Sequence, residues 1–403
     1  MTYLIKNATY IDENNQLVNS DIRIEKGKIK KLGKLSQTKT DQVINGEKYL
    51  ISPSFVNAHF HLGETIYRGF APRDSLKAYL SYTESVASSE EKVHTTISQL
   101  SIAESIETGT STISCARGWK AMKKTPLRGL LSYPLMKSKK LIKYYKNDLF
   151  EETLQNEEVL TKNKTQKVKV GLWIHSLDKI DEERLKQVSK ILTKNKKIML
   201  TIHVGETKKQ MQRTINKTHL TEIELLDKYG LIRAQTNLVH LNHCSLKDLT
   251  TIANKKANVT LCPTSNACLN TGLPDISTMQ KKGINICIGT DGLATNDSAS
   301  LLEACKFTFL LNRSANISPK ALFNMITKNP AKTLGFNNGV IKEGKYADLN
   351  FFEINKPNLH PIKNVLSNLI FAGPHIPSKR MIDGEFVFTK TKNIISNFEE
   401  LVQ

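Results

Sequence analysis

The chain has 403 residues, of which 39% are hydrophobic and 24% are charged, and its formal net charge is +20. This composition is typical of a folded globular protein and excludes an intrinsically disordered one. No apolar stretch reaches the roughly 18 residues that a membrane span needs, and the first residues show no signal-peptide pattern, so we expect a cytoplasmic protein.

The large positive charge raises the question of nucleic-acid binding, because a basic field attracts phosphates. The lysines are spread along the chain, as in Lys194 to Lys197, and do not alternate with aromatic residues on one segment. We therefore favour solvated helix faces and keep a basic nucleic-acid-binding protein as the competing class. The six cysteines form no CxxC pair and are interpreted as reduced core thiols.

Residues 1–52 are predicted to form an all-β unit, because hydrophobic runs alternate with turn residues at short intervals. The predicted strands of this unit are Tyr3–Tyr10, Ile22–Ile24, Ile29–Leu32, Gln42–Ile44 and Tyr49–Ile51.

Residues 53–338 alternate apolar runs of strand length with longer amphipathic segments, a pattern typical of a parallel sheet or barrel. The eight strand candidates are Phe55–Ala58, Thr110–Cys115, Gly129–Tyr133, Val168–Ile174, Ile198–Ile202, Asn237–Leu241, Asn258–Leu261 and Ile284–Ile288. Eight strands predict an α/β fold, a (β/α)8 TIM-like barrel. A helix is predicted over Pro319–Leu334 at its end.

Residues 339–403 return to β-like runs at Ala347–Phe352 and Glu385–Phe388. We therefore expect the two chain termini, residues 1–52 and 339–403, to form one small β-sandwich domain beside the barrel of residues 53–338.

Two histidines are separated by a single residue in His59-Phe60-His61. Alternate residues of an extended chain project to the same face, so both imidazoles can reach one metal ion. Alone, the pair is a weak signal, because two close histidines also occur by chance.

Two further metal-compatible residues follow strand candidates: His203 comes after Ile198–Ile202, and Asp291 comes after Ile284–Ile288. Active sites of such barrels lie at the carboxyl ends of the strands, so these side chains and the histidine pair are expected to converge. Three histidines and one carboxylate suit Zn²⁺ or Fe²⁺.

Glu206 lies three residues after His203 and is a candidate for proton transfer; its alternative is a helix-capping or first-turn glutamate. His240 lies at the end of the sixth strand candidate and is favoured over His243 as the group that orients substrate or water. Its alternative interpretation is a hydrogen-bonded core histidine. His175 closes the fourth strand and is a weaker candidate for substrate contact.

Five segments occur in this order: PSFVNAHFHLGETIYRGF, IHVGET, LVHLNHC, LCPTSNACLNTG and IGTDGLATND. Together they resemble the amidohydrolase superfamily, in particular its cytosine deaminase-like, S-adenosylhomocysteine deaminase and chlorohydrolase-related branch. The later segment GVIKEGKYAD resembles the return from barrel to β-sandwich in that family. The resemblance covers almost the whole chain.

The resemblance implies one divalent metal ion, zinc first and iron as the alternative, bound by four residues. These implied ligands are His59, His61, His203 and Asp291. It also implies that Glu206 transfers protons, that His240 steadies the substrate and the attacking water, and that Asp291 helps to accept the proton of that water. The implied reaction is hydrolytic deamination of an amino-bearing ring carbon, with release of ammonia.

The chain departs from some relatives in ways that narrow this expectation. Binuclear relatives carry a modified lysine at the end of strand four, whereas this chain has Trp173-Ile174-His175, so one metal ion is favoured. Adenosine deaminases proper usually show two consecutive aspartates at the last ligand, whereas this chain has Asp291-Gly292. His175 is followed by Ser176 in a pattern unlike that of nucleoside-deaminating members, which leaves a ribose contact open.

Two charged residues near the histidine pair each have two interpretations. Glu64 could bind an amino-heterocyclic edge of the substrate or could be a helix-start carboxylate. Arg68 could contact an acidic group of the substrate or could be structural.

The sequence therefore predicts a mononuclear metal-dependent aminohydrolase that acts on an amino-substituted heterocycle or its nucleoside. Displacement of chloride or an alkylamine is the alternative within enzymes, and nucleic-acid binding is the alternative from another class. The expected partner is a small-molecule substrate and not a membrane; a homo-oligomer is left open.

Overall fold

The computed structural model describes residues 2–86, 91–116, 118–135, 167–373, 375–389 and 391–402. Within these ranges the strands form two sheets, one built from both chain termini and one from the middle of the chain. No helix in these ranges is long and apolar enough to cross a membrane.

The terminal sheet contains eight strands: β1 Thr2–Ile11, β2 Leu17–Glu25, β3 Lys28–Gly33, β4 Asp41–Asn45, β5 Tyr49–Pro53, β15 Leu349–Glu353, β16 Lys379–Ile382 and β17 Glu385–Phe386. Their order in the sheet is β17-β16-β15-β5-β1-β2-β3, and β4 also pairs with β1. The central pairing of β15 with β5 is antiparallel and joins the two ends of the chain, for example through Phe351 and Ile51. The predicted union of the termini is confirmed, while the domain boundaries at 52/53 and 338/339 stay a prediction.

The second sheet is parallel and curls into a barrel, as predicted. Its strands are β6 Phe55–His61, β7 Thr110–Cys115, β8 Arg128–Leu135, β9 Val168–Ile174, β10 Met199–Val204, β11 Thr236–His240, β12 Asn258–Leu261, β13 Asn285–Ile288 and β14 Asp291–Gly292. The short β13 and β14 together form the eighth barrel strand, since β13 pairs with β12 and β14 pairs with β6. These pairings close the barrel. Gly289 lies between them, and a Cβ there would be 2.7 Å from the His59 carbonyl oxygen, so a larger residue would push the closing strands apart.

Helices follow the barrel strands. They are α1 Leu76–Val86, α2 Glu91–Glu107, α3 Trp119–Met122, α4 Glu182–Lys194, α5 Lys208–Thr218, α6 Glu222–Lys228, α7 Leu246–Asn254, α8 Pro263–Cys268, α9 Ile276–Lys281, α10 Leu293–Asn296, α11 Leu301–Leu311, α12 Pro319–Met325, α13 Lys328–Leu334, α14 Val365–Phe371 and α15 Thr391–Val402.

The single helix predicted over Pro319–Leu334 is wrong, because two helices, α12 and α13, occupy this segment. Pro330 explains the break: its ring would clash with the carbonyl of Ile326 in a continuous helix, and it has no N–H to donate. The Ile326 carbonyl instead accepts a hydrogen bond from the Val56 N–H of β6 at 2.8 Å.

The main core lies between the barrel and its helices. In α4 the buried residues Leu185, Val188 and Leu192 recur at helical spacing, and the Asp181 side chain caps the helix by accepting from the Arg184 N–H. Each fully buried aliphatic side chain of this kind contributes about 1.5–3 kcal/mol. Four of the six cysteines are buried, which agrees with the prediction of core thiols.

Candidate active site

The two histidines of β6 lie on the inner face of the barrel. Between them Phe60 packs into the core on the outer side, so the alternation of an extended strand directs His59 and His61 to the same face. In β10 the same alternation directs Ile202 and Val204 to the core beneath the helices. His203 therefore points inward.

The side chains of His59, His61, His203 and Asp291 converge, with ligand atoms all within 4.8 Å of one another. The Nε2 atom of His59 is 3.0 Å from the Nε2 atoms of both His61 and His203. The Oδ1 atom of Asp291 is 3.0 Å from His61 Nε2 and 3.3 Å from His59 Nε2. The convergence expected for these four side chains, which come from three strand ends, is therefore present.

This donor set fits a metal cation. A neutral imidazole carries one hydrogen, so His59 Nε2 cannot satisfy both facing nitrogens by hydrogen bonding. Lone pairs that meet at this distance repel each other unless a cation lies among them. Three nitrogens and one carboxylate oxygen are the ligands that zinc prefers.

Burial keeps His59 and His203 in the neutral form that metal binding requires. Burial lowers the pKa of His59 to about 4, because burial and the neighbouring His61 together outweigh the opposing effect of Asp291. Burial likewise lowers the pKa of His203 well below its usual value. For Asp291, burial would raise the pKa, but hydrogen bonds from His59 and His61 hold it well below the usual range.

A second contact orients the Asp291 carboxylate. The hydroxyl of Ser265 in α8 donates a hydrogen bond to Asp291 Oδ2 at 2.8 Å, and Thr295 lies 2.9 Å from that hydroxyl. Asp291 itself has a left-handed backbone conformation, with φ of 61°. This conformation is uncommon outside glycine and is concentrated at functional sites.

Glu206 follows β10 in a tight turn. Gly205 has φ of 59°, and a Cβ there would lie 2.5 Å from the His243 carbonyl oxygen, so glycine is required. The Gly205 N–H donates to the buried Glu222 carboxyl at 2.6 Å, which ties the turn to α6. The cap of α5 is Thr207, so the structure does not place Glu206 as a helix cap.

The Glu206 side chain is buried beside the metal-compatible cluster. Its Oε1 atom is 3.8 Å from His240 Nε2. Burial raises the pKa of Glu206, and the charge of Asp291 raises it further, against the opposing effect of His240. A raised pKa favours the protonated carboxyl, which is the form that can donate a proton.

His240 also reaches this cluster. Leu238, two residues earlier, faces the core under the helices, so simple alternation would turn His240 outward. The left-handed conformation at His240, with φ of 76°, breaks that alternation. By contrast, His243 lies 2.7 Å from the Thr271 carbonyl oxygen and supports that loop.

Aromatic rings surround the cluster on the β9 side. The ring centroid of Trp173 is 5.5 Å from that of His61 and 5.6 Å from that of His203. The ring of His175 is 5.2 Å from that of His203. Trp173 thus forms part of the wall of the site beside His61 and His203, and His175 is half-exposed next to the cluster.

Glu64 lies at the rim of the site. Its Oε2 accepts a hydrogen bond from Tyr79 of α1 at 2.6 Å, and its Oε1 is 3.7 Å from His61 Nδ1. Burial raises the pKa of the Tyr79 hydroxyl, and the charge of Glu64 raises it further. A Cβ at Gly292 would lie 1.8 Å from Glu64 Oε2, so this carboxylate rests directly on the glycine after Asp291.

Arg68 is held in an ion pair with Glu104 of α2, with Nη2 2.6 Å from Oε2. The Glu104 Oε1 in turn accepts from the Ala299 N–H at 2.9 Å. This arrangement favours the structural interpretation of Arg68 over a substrate contact.

Several residues of the site carried no predicted role. Ser265 and Asn266 are part of a quoted segment but have no metal-ligand chemistry, and their partners lie on other strands. Tyr79 and Glu222 lie on helices and looked like ordinary helix residues. In the sequence, Glu222 simply follows Thr221, and this pair gives no signal of the contact between the Glu222 carboxyl and Gly205.

Comparison with known proteins identifies the family. The model of the amidohydrolase family matches residues 50–387. The chain belongs to the amidohydrolase family. A 5-methylthioadenosine/S-adenosylhomocysteine deaminase of Thermococcus sibiricus is 31% identical to this amidohydrolase over 96% of the chain and 94% of the relative. A 5′-deoxyadenosine deaminase of Methanosphaera stadtmanae is 29% identical to it over 99% of this chain and 96% of the relative.

Solved structures share the fold of this amidohydrolase. A zinc-bound adenosine deaminase from Xanthomonas campestris has a TM-score of 0.88 and 19% identity, covering 99% of this chain and 97% of that one. A zinc complex of atrazine chlorohydrolase from Arthrobacter aurescens has a TM-score of 0.89 and 19% identity, covering all of both chains. At this identity the likeness shows the fold alone.

The family and the geometry together establish the predicted class of activity. This amidohydrolase is a metal-dependent hydrolase of non-peptide carbon–nitrogen bonds, a deaminase that acts on a small-molecule substrate.

Proposed function

We propose that this protein removes the 6-amino group of an adenine nucleoside altered at its 5′ position, using one zinc ion. The observation that carries the proposal is the buried meeting of Glu206 and His240 with the four metal-compatible side chains. The names of the two relatives, similar over nearly the full length, support the choice of a nucleoside.

The zinc ion would be held by His59, His61, His203 and Asp291. When bound, zinc lowers the pKa of a water molecule to about 7 and stabilises developing negative charge. Iron(II) is the alternative, because the same ligands suit it. The end of β9 reads Trp173-Ile174-His175, with no lysine of the kind that binuclear relatives use, and this supports a single ion.

Glu206 would move the protons of the reaction. Water adds to the amino-bearing carbon of the ring, the carbon–nitrogen bond breaks, and ammonia leaves with a ring carbonyl in its place. The buried Glu206 carboxyl would supply a proton to the ring nitrogen beside that carbon and return one from the water to the departing amine. Its raised pKa suits this exchange. Asp291, whose Oδ2 is fixed by Ser265, would help to accept the proton of the water.

The substrate would enter past the rim of the barrel. We propose that Glu64, oriented by Tyr79, accepts hydrogen bonds from substrate N–H or O–H groups. We also propose that His175 contacts the substrate from the β9 side. Arg68 is left out of this set because Glu104 already pairs with it.

A substrate panel tests the proposal. The zinc-loaded protein is given 5′-methylthioadenosine, 5′-deoxyadenosine, adenosine and free adenine. Two signals are measured: the release of ammonia, and the change in ultraviolet absorbance as the adenine ring becomes hypoxanthine. Glu206→Gln serves as the inactive control, and Glu183→Gln, which alters an exposed helix carboxylate, serves as its matched partner. The proposal expects ammonia from the 5′-modified nucleosides. Ammonia from none of these four compounds would contradict the proposal. Triazines are tested beside them, and release of chloride or an alkylamine from a triazine as the sole activity would also contradict the proposal.

A further inference from the structure

Two buried asparagine side chains link the main chain of Glu206 to the ring of His240. Asn242 follows β11 and is 7% exposed, and Asn266 lies in α8 and is 1% exposed. Asn266 Nδ2 donates to Asn242 Oδ1 at 2.7 Å, and Asn266 Oδ1 lies 2.9 Å from His240 Nδ1. Asn242 Nδ2 donates to the Glu206 carbonyl oxygen at 3.2 Å.

The direction of each hydrogen bond in this chain follows from its first member. The Glu206 carbonyl oxygen can only accept, so Asn242 must present Nδ2 to it and Oδ1 to Asn266. Asn266 must then present Nδ2 to Asn242, which leaves its Oδ1 facing His240. Since Oδ1 can only accept, the hydrogen of this last bond belongs to His240 Nδ1.

Asn266, which lies in α8 and not in the strand of His240, therefore determines the tautomer of His240. A neutral imidazole with its hydrogen on Nδ1 has a bare lone pair on Nε2. This Nε2 atom faces Glu206, with Oε1 3.8 Å away. An acceptor at this position can receive a hydrogen bond from a water molecule or from a protonated carboxyl.

We infer that Asn242 and Asn266 are positioning residues that hold His240 in the Nδ1–H tautomer, so that Nε2 accepts a hydrogen bond from the attacking water. Both asparagines act through His240 and through the main chain of Glu206. The role of the water rests on the proposed deamination, whereas the tautomer does not.

Nuclear magnetic resonance tests the tautomer directly. The zinc-loaded, full-length protein is labelled with ¹⁵N-histidine, and two-bond ¹H–¹⁵N spectra distinguish the protonated from the bare ring nitrogen. The His240 signals are those that vanish in His240→Gln. We expect a protonated Nδ1 and a bare Nε2. A hydrogen on Nε2 with a bare Nδ1 would overturn the inference.

Variants of Asn266 test its consequence. Asn266→Ala removes the acceptor opposite Nδ1, so we expect a mixture of tautomers and a kcat lower by roughly 10- to 100-fold, the effect typical of lost outer-shell partners. KM and zinc content should remain within about twofold of the wild type. Asn266→Asp keeps an acceptor opposite Nδ1, so it should keep the tautomer and lose less kcat.

Asn258→Ala is the matched control. Asn258 is also buried, and its Nδ2 donates to the main-chain carbonyls of Ala234 and Thr236 at the opposite end of the barrel. It should change stability without changing the His240 tautomer or kcat. An Asn266→Ala variant with wild-type tautomer and kcat would overturn the inference. If that variant does not fold, the wild-type spectrum decides. If no substrate is deaminated, the proposed function fails while the spectrum still tests the tautomer.

Discussion

Replacing Glu222 with glutamine should make the stability of the protein less dependent on pH. Glu222 is 4% exposed at the start of α6, and it accepts hydrogen bonds from the Gly205 N–H at 2.6 Å and the Thr214 hydroxyl at 3.3 Å. Burial, with a smaller contribution from the charges of Asp178 and Glu206, raises its pKa from 4.5 to about 7 in spite of these bonds.

The sign of the effect follows from proton binding. Below about pH 4.5 the carboxyl is protonated in both the folded and the unfolded chain. As the pH rises toward 7, the unfolded chain releases this proton while the folded chain keeps it, so the free energy of unfolding falls. A shift of this size corresponds to a loss of about 3 kcal/mol that is complete above about pH 7.

Urea unfolding at pH 5 and pH 8, in saturating zinc, measures this loss. The wild type should lose about 2–3 kcal/mol more than Glu222→Gln between the two conditions. Glutamine can still accept from Gly205, so the variant should fold. Glu183→Gln, whose carboxylate is 69% exposed, should behave as the wild type. Equal losses in the wild type and Glu222→Gln would refute the argument that this carboxyl is held neutral.

Three further variants test the site. Glu206→Gln should keep its zinc but lose kcat by roughly 10²–10⁴-fold, the usual contribution of a proton-transferring group; an active variant would remove Glu206 from this role. Gly292→Ala would place a Cβ 1.8 Å from Glu64 Oε2 and displace this proposed substrate contact, so KM should rise by about tenfold. In a double-mutant cycle, adding Glu64→Ala to Gly292→Ala should then change KM little further. Additive effects would show that Gly292 acts on another group. Arg68→Gln should lower the free energy of unfolding by less than about 1 kcal/mol, because the pair with Glu104 is partly exposed, and should leave KM unchanged; a raised KM would return Arg68 to the substrate site.

The metal-compatible residues could be predicted because each lies at or just after the end of an apolar run of strand length. His59, His61 and His203 need only the inward face of a strand, and the carboxyl ends of barrel strands meet at one mouth. The convergence of Asp291 was also predicted, but its left-handed backbone was not, because φ at a strand end depends on the closing contact with β6.

The supporting residues could not be predicted because their roles depend on contacts between distant segments. Asn266 reaches His240 across 26 positions of the sequence, and Tyr79 reaches Glu64 from the next helix. An asparagine or a tyrosine in isolation has no pattern that indicates such a partner. The break at Pro330, in contrast, had a visible cause in the sequence, and a continuous helix was predicted in spite of it.

The central claim, that one metal ion held by the four-residue cluster supports deamination, is tested most directly by titrating the protein with a chelator. Bound metal is measured by elemental analysis, and ammonia release from 5′-methylthioadenosine is measured on the same samples. The claim predicts close to one equivalent of zinc or iron in the untreated protein and a rate of ammonia release that falls in proportion to the metal removed. Full activity in protein that has lost its metal, or a metal content unrelated to activity, would contradict it.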